Sequence, residues 1–371
     1  MALNDEQIML KDMAAGWVKD TMPTTAARAL YGAPDGIGHA PDAWAEMAAM
    51  GWTGIIVPEA HGGSDFGFRS LGLVLEELGR TLAPSPLLSS ALAVSALRLA
   101  GDAAQQARWL PGLADGSVIG TLAVDEGPRH APLATALTAT PVGGGWRLDG
   151  IKRPVQDGMA AHLAIVVARV ADGGADDLAL FAVPCDVAGL TRDPLDQVDA
   201  RVPAIYRFDG VEVGPDSRLV GGTAMVDALL DRARAGLSAE MLGMMTQAFE
   251  TTLEYLKTRV QFGQLIGSFQ ALQHRAADMF AELQLTRSAV EAALSAVDAD
   301  ADDLPTRASL AKALAGESLH RISRQMVQLH GGIGMTHEHD AGLYLRRAGV
   351  AEQCYGNAAF HRERWGRLNG F

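Results

Sequence analysis

The order of apolar and polar positions divides the chain into three stretches of different texture. Over residues 1–116, apolar residues recur at three-and-four spacing, the period of one helical face. "LGLVLEELGRTLAP" (71–84) shows this and stops at Pro84, while "SALAVSALRLAG" (90–101) is a more apolar helix ending on Gly101. Between 117 and 218 the period shortens to two or gives way to short apolar runs. "SVIGTLAV", "ATALTATPV", "GWRLDGI", "LAIVVARV", "DLALFAVP" and "AIYRFDGVEV" are separated by Gly, Pro and Asp. They predict strands, with "VGGG" (142–145) as a hairpin turn. The helical period returns through 223–258, 268–298, 305–330 and 338–366, with "DADADDLP" (298–305) as a solvated turn. The first two of these are too long for a small globular helix and point to a bundle. The expected organisation is a helical domain over 1–116, a β domain over 117–218 and a helical bundle over 219–371.

Composition narrows the function. At 371 residues the chain exceeds one core of roughly 150 residues. Lys and Arg number 31 against 44 Asp and Glu, a net charge of −13, with no basic stripe. Nucleic acid and anionic membrane surfaces are therefore poor partners, although a local Arg still suits an anionic small molecule. Cys185 and Cys354 are the only cysteines, which excludes a disulfide framework or a structural zinc site. The N-terminal "MALNDEQIMLKDMAAGW" lacks a signal-peptide core, and no segment approaches the ~20 apolar residues of a membrane span. The expected location is the cytoplasm. Without a P-loop, a dinucleotide fingerprint after a strand or a nucleophile elbow, phosphotransfer and serine hydrolysis have no support.

Two stretches concentrate candidate chemistry. In "YLKTRVQFGQLIGSFQALQHRAADM" (255–279), Arg259 falls near a helix end, Gly263 and Gly267 mark a turn, and a new helix begins near Ser268. Such an Arg pairs bidentately with phosphate, and Phe262 can cover a planar ring. The same residues also fit an ordinary helix-turn-helix. In "QLHGGIGMTHEHD" (328–340), Gly331, Gly332 and Gly334 either let the backbone approach an anion or simply stop a helix. His330, His337 and His339 lack a carboxylate partner of known geometry, so they read as scaffold and no metal is expected.

In chain order, "GWTGIIVPEAHGGSDFG" (51–67), "LEELGRTLAPSPLL" (75–88), "RVQFGQLIGSFQALQHRAADM" (259–279) and "QLHGGIGMTHEHD" together resemble the acyl-CoA dehydrogenase family across nearly the whole chain. The resemblance implies an N-terminal helical domain, a middle β-barrel-like domain and a C-terminal four-helix bundle. It implies FAD, an acyl-CoA substrate, an electron-transfer flavoprotein or other acceptor, and an oligomer. A carboxylate removes the α-proton while hydride leaves the β-carbon, placing an α,β double bond in the thioester. Carried over motif by motif, Arg259 and Phe262 would contact the FAD of a neighbouring subunit and Phe269 and Gln270 would flank it. Gln328, Gly331 and Gly332 would cradle its adenosine-diphosphate part.

The departures concern catalysis. The family commonly carries its base in a Tyr-Glu-Gly-Thr-like turn. Counted ungapped through "LRRAGVAEQCYGNAAF" (345–360), Gly356 stands at the glutamate and Ala358 replaces a hydroxyl residue. Some members carry the base on the first bundle helix, just before an Arg matching Arg234, where this chain has Ala233. Glu240, two turns further along that face, is the remaining candidate base, or else a polar residue paired inside the bundle. The β domain departs too. "VDEGPRHAP" (124–132) replaces a Thr-Glu-Pro…Gly-Ser-Asp loop, and "GIKRPVQDG" (150–158) offers Pro154 and Gln156 for a Trp-x-Thr pair. Three readings follow: an active FAD-dependent dehydrogenase (homodimer or homotetramer) with a relocated base, a non-catalytic or half-site subunit of a heterotetramer with a homologous partner, or a flavin-free acyl-CoA-binding scaffold.

Overall fold

Among the described residues, six α-helices open the chain. They are α1 (Asp5–Thr21), α2 (Thr24–Ala29), α3 (Pro41–Ala49), α4 (Phe68–Arg80), α5 (Leu87–Ala100) and α6 (Ala103–Ala114) in a computed structural model that describes residues 3–30, 36–171 and 178–371. α1 and α6 begin in capping boxes, where Asn4 and Asp102 accept the backbone N–H three residues on and Gln7 and Gln105 return the bond. Strands follow as β1 (Gly120–Ala123), β2 (Thr138–Val142), β3 (Gly145–Val155), β4 (Leu163–Val170), β5 (Leu178–Pro184), β6 (Leu190–Pro194) and β7 (Ala204–Val213). The rest is α7 (Thr223–Thr258), the two-residue strands β8 (Val260–Gln261) and β9 (Gln264–Leu265), α8 (Gln270–Asp298), α9 (Leu304–His330), α10 (Ala341–Gln353) and α11 (Ala358–Leu368).

By packing, the chain groups into two compact units. One comprises residues 1–31, 72–83 and 234–371, and the other residues 32–71 and 84–233. The second holds one curled sheet in the order β1-β4-β2-β3-β7-β6, with β5 also paired to β4. β1 and β2 run parallel to β4, and the remaining pairs are antiparallel. The apolar runs "LAIVVARV" and "LALFAVP" are buried on both faces, as uninterrupted apolar strands require. β7 instead alternates for most of its length around Tyr206, Phe208 and Val211. α5 is buried along nearly its whole surface and packs on β1. β2 and β3 form the expected hairpin, with Gly143 and Gly144 at φ 58° and 88°, the pair of positive angles a two-residue type I′ turn needs.

In the first unit α9 is central, packing on α8, α10 and α11. α4 and α7 cross closely because two glycines face each other's backbones. A side chain at Gly79 would strike the Glu240 carbonyl, and one at Gly243 the Glu76 carbonyl. Two expectations need correction. The stretch 338–366 is not one helix but α10 and α11, parted where Tyr355 and Gly356 take φ of 56° and 101°. β6 was not anticipated, because "LTRDP" carries two charges and a proline, the composition of an exposed strand at the sheet's edge.

Candidate cofactor seat and active-site turn

α7 ends in a tight hairpin. Val260 pairs with Leu265 and Gln261 with Gln264, leaving Phe262 and Gly263 as the two turn residues, at φ 53° and 78°. Gly263 suits that conformation, but a bulky residue there is an outlier costing ~1–2 kcal/mol. The Phe262 ring is 91% exposed and lies in a T-shaped arrangement with Phe269, the ring centroids 6.2 Å apart. A strained, solvent-facing aromatic is a functional signal rather than a packing device. Arg259, just before the hairpin, and Gln270, which opens α8, are also exposed.

α9 ends beside the same part of α7. His330 is buried, its Nδ1 lies 2.7 Å from the Met326 carbonyl, and its ring stacks on Tyr255 at 4.4 Å and tilts against His339 at 4.2 Å. Burial, reinforced by the charge of His339, holds its pKa below the ordinary histidine value. His330 and His339 thus join α7, the end of α9 and the start of α10. Gly331 follows with φ 63°, and no atom lies within 4 Å of where a side chain at Gly331 or Gly332 would begin. Gln328, Gly331 and Gly332 are exposed. This open main chain, a nearby hairpin bearing Arg259 and a bare aromatic fit a dinucleotide: guanidinium for phosphate, close backbone approach, and a ring to cover an apolar surface.

The third feature is the turn between α10 and α11. The Tyr355 carbonyl accepts from Arg234 Nε at 3.5 Å and lies 3.0 Å from His361 Nε2, while Lys312 reaches the Gly356 carbonyl from below at 2.9 Å. A side chain on Gly356 would meet Phe360 Cδ1 at 2.5 Å and His361 Nε2 at 2.9 Å. Asn357 caps α11 by accepting the Phe360 N–H at 3.0 Å. Ala233 is fully buried. Glu240 is buried as well, with Oε1 2.9 Å from Arg347 Nη2 and 3.2 Å from Arg347 Nε.

Models of the acyl-CoA dehydrogenase N-terminal and C-terminal domains match residues 4–117 and 221–368. Acyl-CoA dehydrogenase IpdE2 of Mycobacterium tuberculosis is 30% identical over 347 residues, 93% of this chain and 91% of that protein. The chain belongs to the acyl-CoA dehydrogenase family. A variant of the Tcur3481-Tcur3483 steroid ACAD is 32% identical at a TM-score of 0.89, covering 98% of both chains. The ChsE4-ChsE5 complex from Mycobacterium tuberculosis is 28% identical at a TM-score of 0.91, covering 100% of this chain and 99% of that one.

Against the family's Tyr-Glu-Gly-Thr pattern, the backbone is compatible with a register one residue earlier than the ungapped count as well as with that count. Gly356 has the left-handed φ and crowding that demand glycine, and Asn357 is a helix-capping residue as threonine is. In that register glycine would lie on glycine, with Tyr355 at the glutamate's place and Asn357 at the threonine's; in the ungapped count those places fall to Gly356 and Ala358. In either register the position holds no carboxylate.

The "VDEGPRHAP" loop, in the sheet-containing unit, keeps an internal frame that sequence reading overlooked. Lys152 Nζ, wholly buried, donates to Glu126 Oε1 at 2.7 Å, the Val124 carbonyl at 2.8 Å and Thr135 Oγ1 at 3.4 Å. Burial pushes its ammonium down to about 8. Burial alone would raise Glu126, but Lys152 and the backbone N–H groups of Ala136 and Leu137 more than offset this and hold it below the usual range. Asp125 lies 3.0 Å from His130. The local signal was weak: Lys152 stands between Ile151 and Arg153 in a strand that also carries Arg147 and Asp149. Among the described residues, no group of three His, Cys, Asp or Glu is arranged to hold a metal, and no helix is long and apolar enough to cross a membrane.

Proposed function

We propose that this chain is one of two unlike subunits of a cytoplasmic FAD-dependent acyl-CoA dehydrogenase. It lends the adenosine-diphosphate seat of a flavin shared across a subunit boundary, and a homologous partner lends the carboxylate base and the flavin cradle. The observation that carries this reading is the α10–α11 turn, where Tyr355 and Gly356 leave no acid and the backbone admits no side chain at Gly356. The buried pairing of Glu240 with Arg347 supports a packing role for that carboxylate over that of a relocated base. Two relatives of this fold are named as two-component assemblies, one of them a steroid enzyme. The two free cysteines suit a reducing compartment.

When bound, FAD supplies the acceptor for the β-hydride of an acyl-CoA thioester, and an electron-transfer flavoprotein or similar acceptor relieves it of the electrons. The residues of this chain hold rather than react. Arg259 would offer its fork to a phosphate, Gln328, Gly331 and Gly332 would cradle the adenosine-diphosphate part by close main-chain approach, Phe262 would contact the cofactor, and Phe269 and Gln270 would flank it. The α-proton goes to the partner's carboxylate.

The chain should be purified alone and after co-expression with acyl-CoA dehydrogenase homologues from its own genome. Alone it is expected to be colourless and inert towards acyl-CoAs. With the right partner it forms a yellow complex whose absorbance near 450 nm bleaches on adding substrate. A chain that binds one FAD by itself and is bleached by an acyl-CoA would refute the reading.

A further inference from the structure

We infer that α2 belongs to the nucleotide seat: Arg28 and Thr24 are positioning residues that fix the 331–340 segment against which the adenosine-diphosphate end of FAD lies. This rests on the reading above and extends it to residues some 300 positions away that no cofactor motif includes. Thr24 Oγ1 donates to Asp340 Oδ2 at 2.7 Å, and Arg28 Nη2 donates to Asp340 Oδ1 at 2.5 Å. The other arm of the guanidinium donates to the His337 carbonyl. One planar fork thus grips two points three residues apart, which a lysine cannot do. Asp340 sits at the N-cap of α10 yet makes no capping bond with its side chain, its carboxylate being directed to α2 instead.

From this clamp to the seat the contacts are continuous. His339 Nδ1 accepts the Ala341 N–H at 3.1 Å, and its ring lies 4.2 Å from that of His330, the residue immediately before Gly331. Gly331 and Gly332 carry no side chain to pack, and open space lies where one would start, so backbone alone holds them: the Gly331 N–H donates to the Gln328 carbonyl, and residues 331–335 form a short 3₁₀ turn. The seat's geometry is therefore set by what holds its ends. On one side the His330 ring stacks on Tyr255, and on the other α2 grips Asp340 and His337. A binding site is only as exact as the shell that holds it.

The test is FAD affinity of the two-subunit assembly, measured by titrating FAD into the deflavinated complex and following flavin fluorescence. Arg28→Ala and Asp340→Ala are each expected to raise the FAD dissociation constant about tenfold, the scale of losing a charge-assisted hydrogen bond. The double variant should be no worse than either single one, and Arg28→Lys should recover only part of the loss. The melting temperature of the assembly should move by a few degrees at most, since the pair is partly solvated. Thr24→Val, which removes one hydroxyl bond, repeats the measurement should Arg28→Ala fail to assemble, with a few-fold weakening expected. Wild-type assembly that binds FAD alongside variants of unchanged affinity, or fully additive effects, overturns the clamp alone. A wild-type assembly that binds no FAD overturns the underlying reading and the clamp with it.

Discussion

Lys312 Nζ donates to the carbonyl of Gly356 at 2.9 Å from a side chain with no exposed surface, and to the carbonyls of Ala351 and Glu352 at 3.2 and 3.1 Å. One ammonium thereby satisfies two carbonyls left open at the end of α10 and a third from the turn that follows. The turn keeps its shape although it carries no acid, because its shape comes from beneath. Lys312→Met fills the volume but leaves three buried carbonyls without that donor. It should lower the unfolding free energy by about 3 kcal/mol, read as a lower denaturant midpoint at unchanged slope. An unchanged midpoint would show that the carbonyls find other donors.

Lys312 and Lys152 also set a pH dependence. Burial pushes both ammonium groups down to about 8, against an ordinary 10.5. Between those values the unfolded chain binds more protons than the folded one, so stability rises with pH through 8. Below 8 both states are protonated and the two lysines give no slope. From about 9 upward Cys185, Tyr206 and Tyr344 act in the opposite sense, because burial raises all three and the unfolded chain loses those protons first. The clean window is pH 8 to 9, where the denaturant midpoint should climb, and Lys312→Met should remove about half of the climb. A midpoint that stays flat or falls there is incompatible with two buried ammonium groups.

Much of the fold was legible because apolar period and breakers agree. The predicted helix 223–258 is α7 to the residue, and the doubly apolar strand runs are the buried strands β4 and β5. What stayed hidden depends on contacts between residues far apart in sequence. No local pattern says that Arg28 reaches His337 and Asp340, or that Lys312 lies under Gly356. The helical period alone hides the break at Tyr355, which only the family resemblance marks as a turn, because residues on both sides keep that period and the left-handed turn is held by Arg234, Lys312 and His361. The motif residues of the seat were legible as types, but their exposure and the strain at Phe262 needed coordinates.

The crossing of α4 and α7 gives a sharp contrast between glycines. Gly243 faces the backbone of Glu76, so Gly243→Ala forces the helices apart and should cost more than about 3 kcal/mol or prevent folding. Gly16 lies exposed in α1 with nothing within 4 Å, so Gly16→Ala should stabilise by about 0.5–1 kcal/mol from helix propensity alone. Thermal melts of both variants check the pair. A harmless Gly243→Ala would mean that the helices do not cross this closely.

Phe262 separates folding from cofactor binding. Because it occupies a left-handed position with its ring in solvent, Phe262→Gly removes strain and almost no packing. The isolated chain should melt no lower and gain up to about 1 kcal/mol. In the assembly, the same variant should bind FAD several-fold more weakly through loss of the covering ring. Unchanged flavin affinity would dissociate the exposed aromatic from the nucleotide.

Glu240→Gln distinguishes a packing carboxylate from a catalytic one. The pair with Arg347 has side chains only 4% and 7% exposed, so neutralising the acid takes the facing carboxylate charge away from a buried guanidinium. Removing one partner of such a pair costs about 3–5 kcal/mol, because the remaining charge keeps its desolvation penalty without its compensation. The expected outcome is a much lower melting temperature for Glu240→Gln. The double variant Glu240→Gln/Arg347→Met should recover part of the loss, since it removes the buried positive charge as well. A base would behave differently: flavin bleaching by acyl-CoA would vanish while stability and FAD content stayed at wild-type levels. That second pattern would return the chemistry to this chain and make the partner's carboxylate unnecessary.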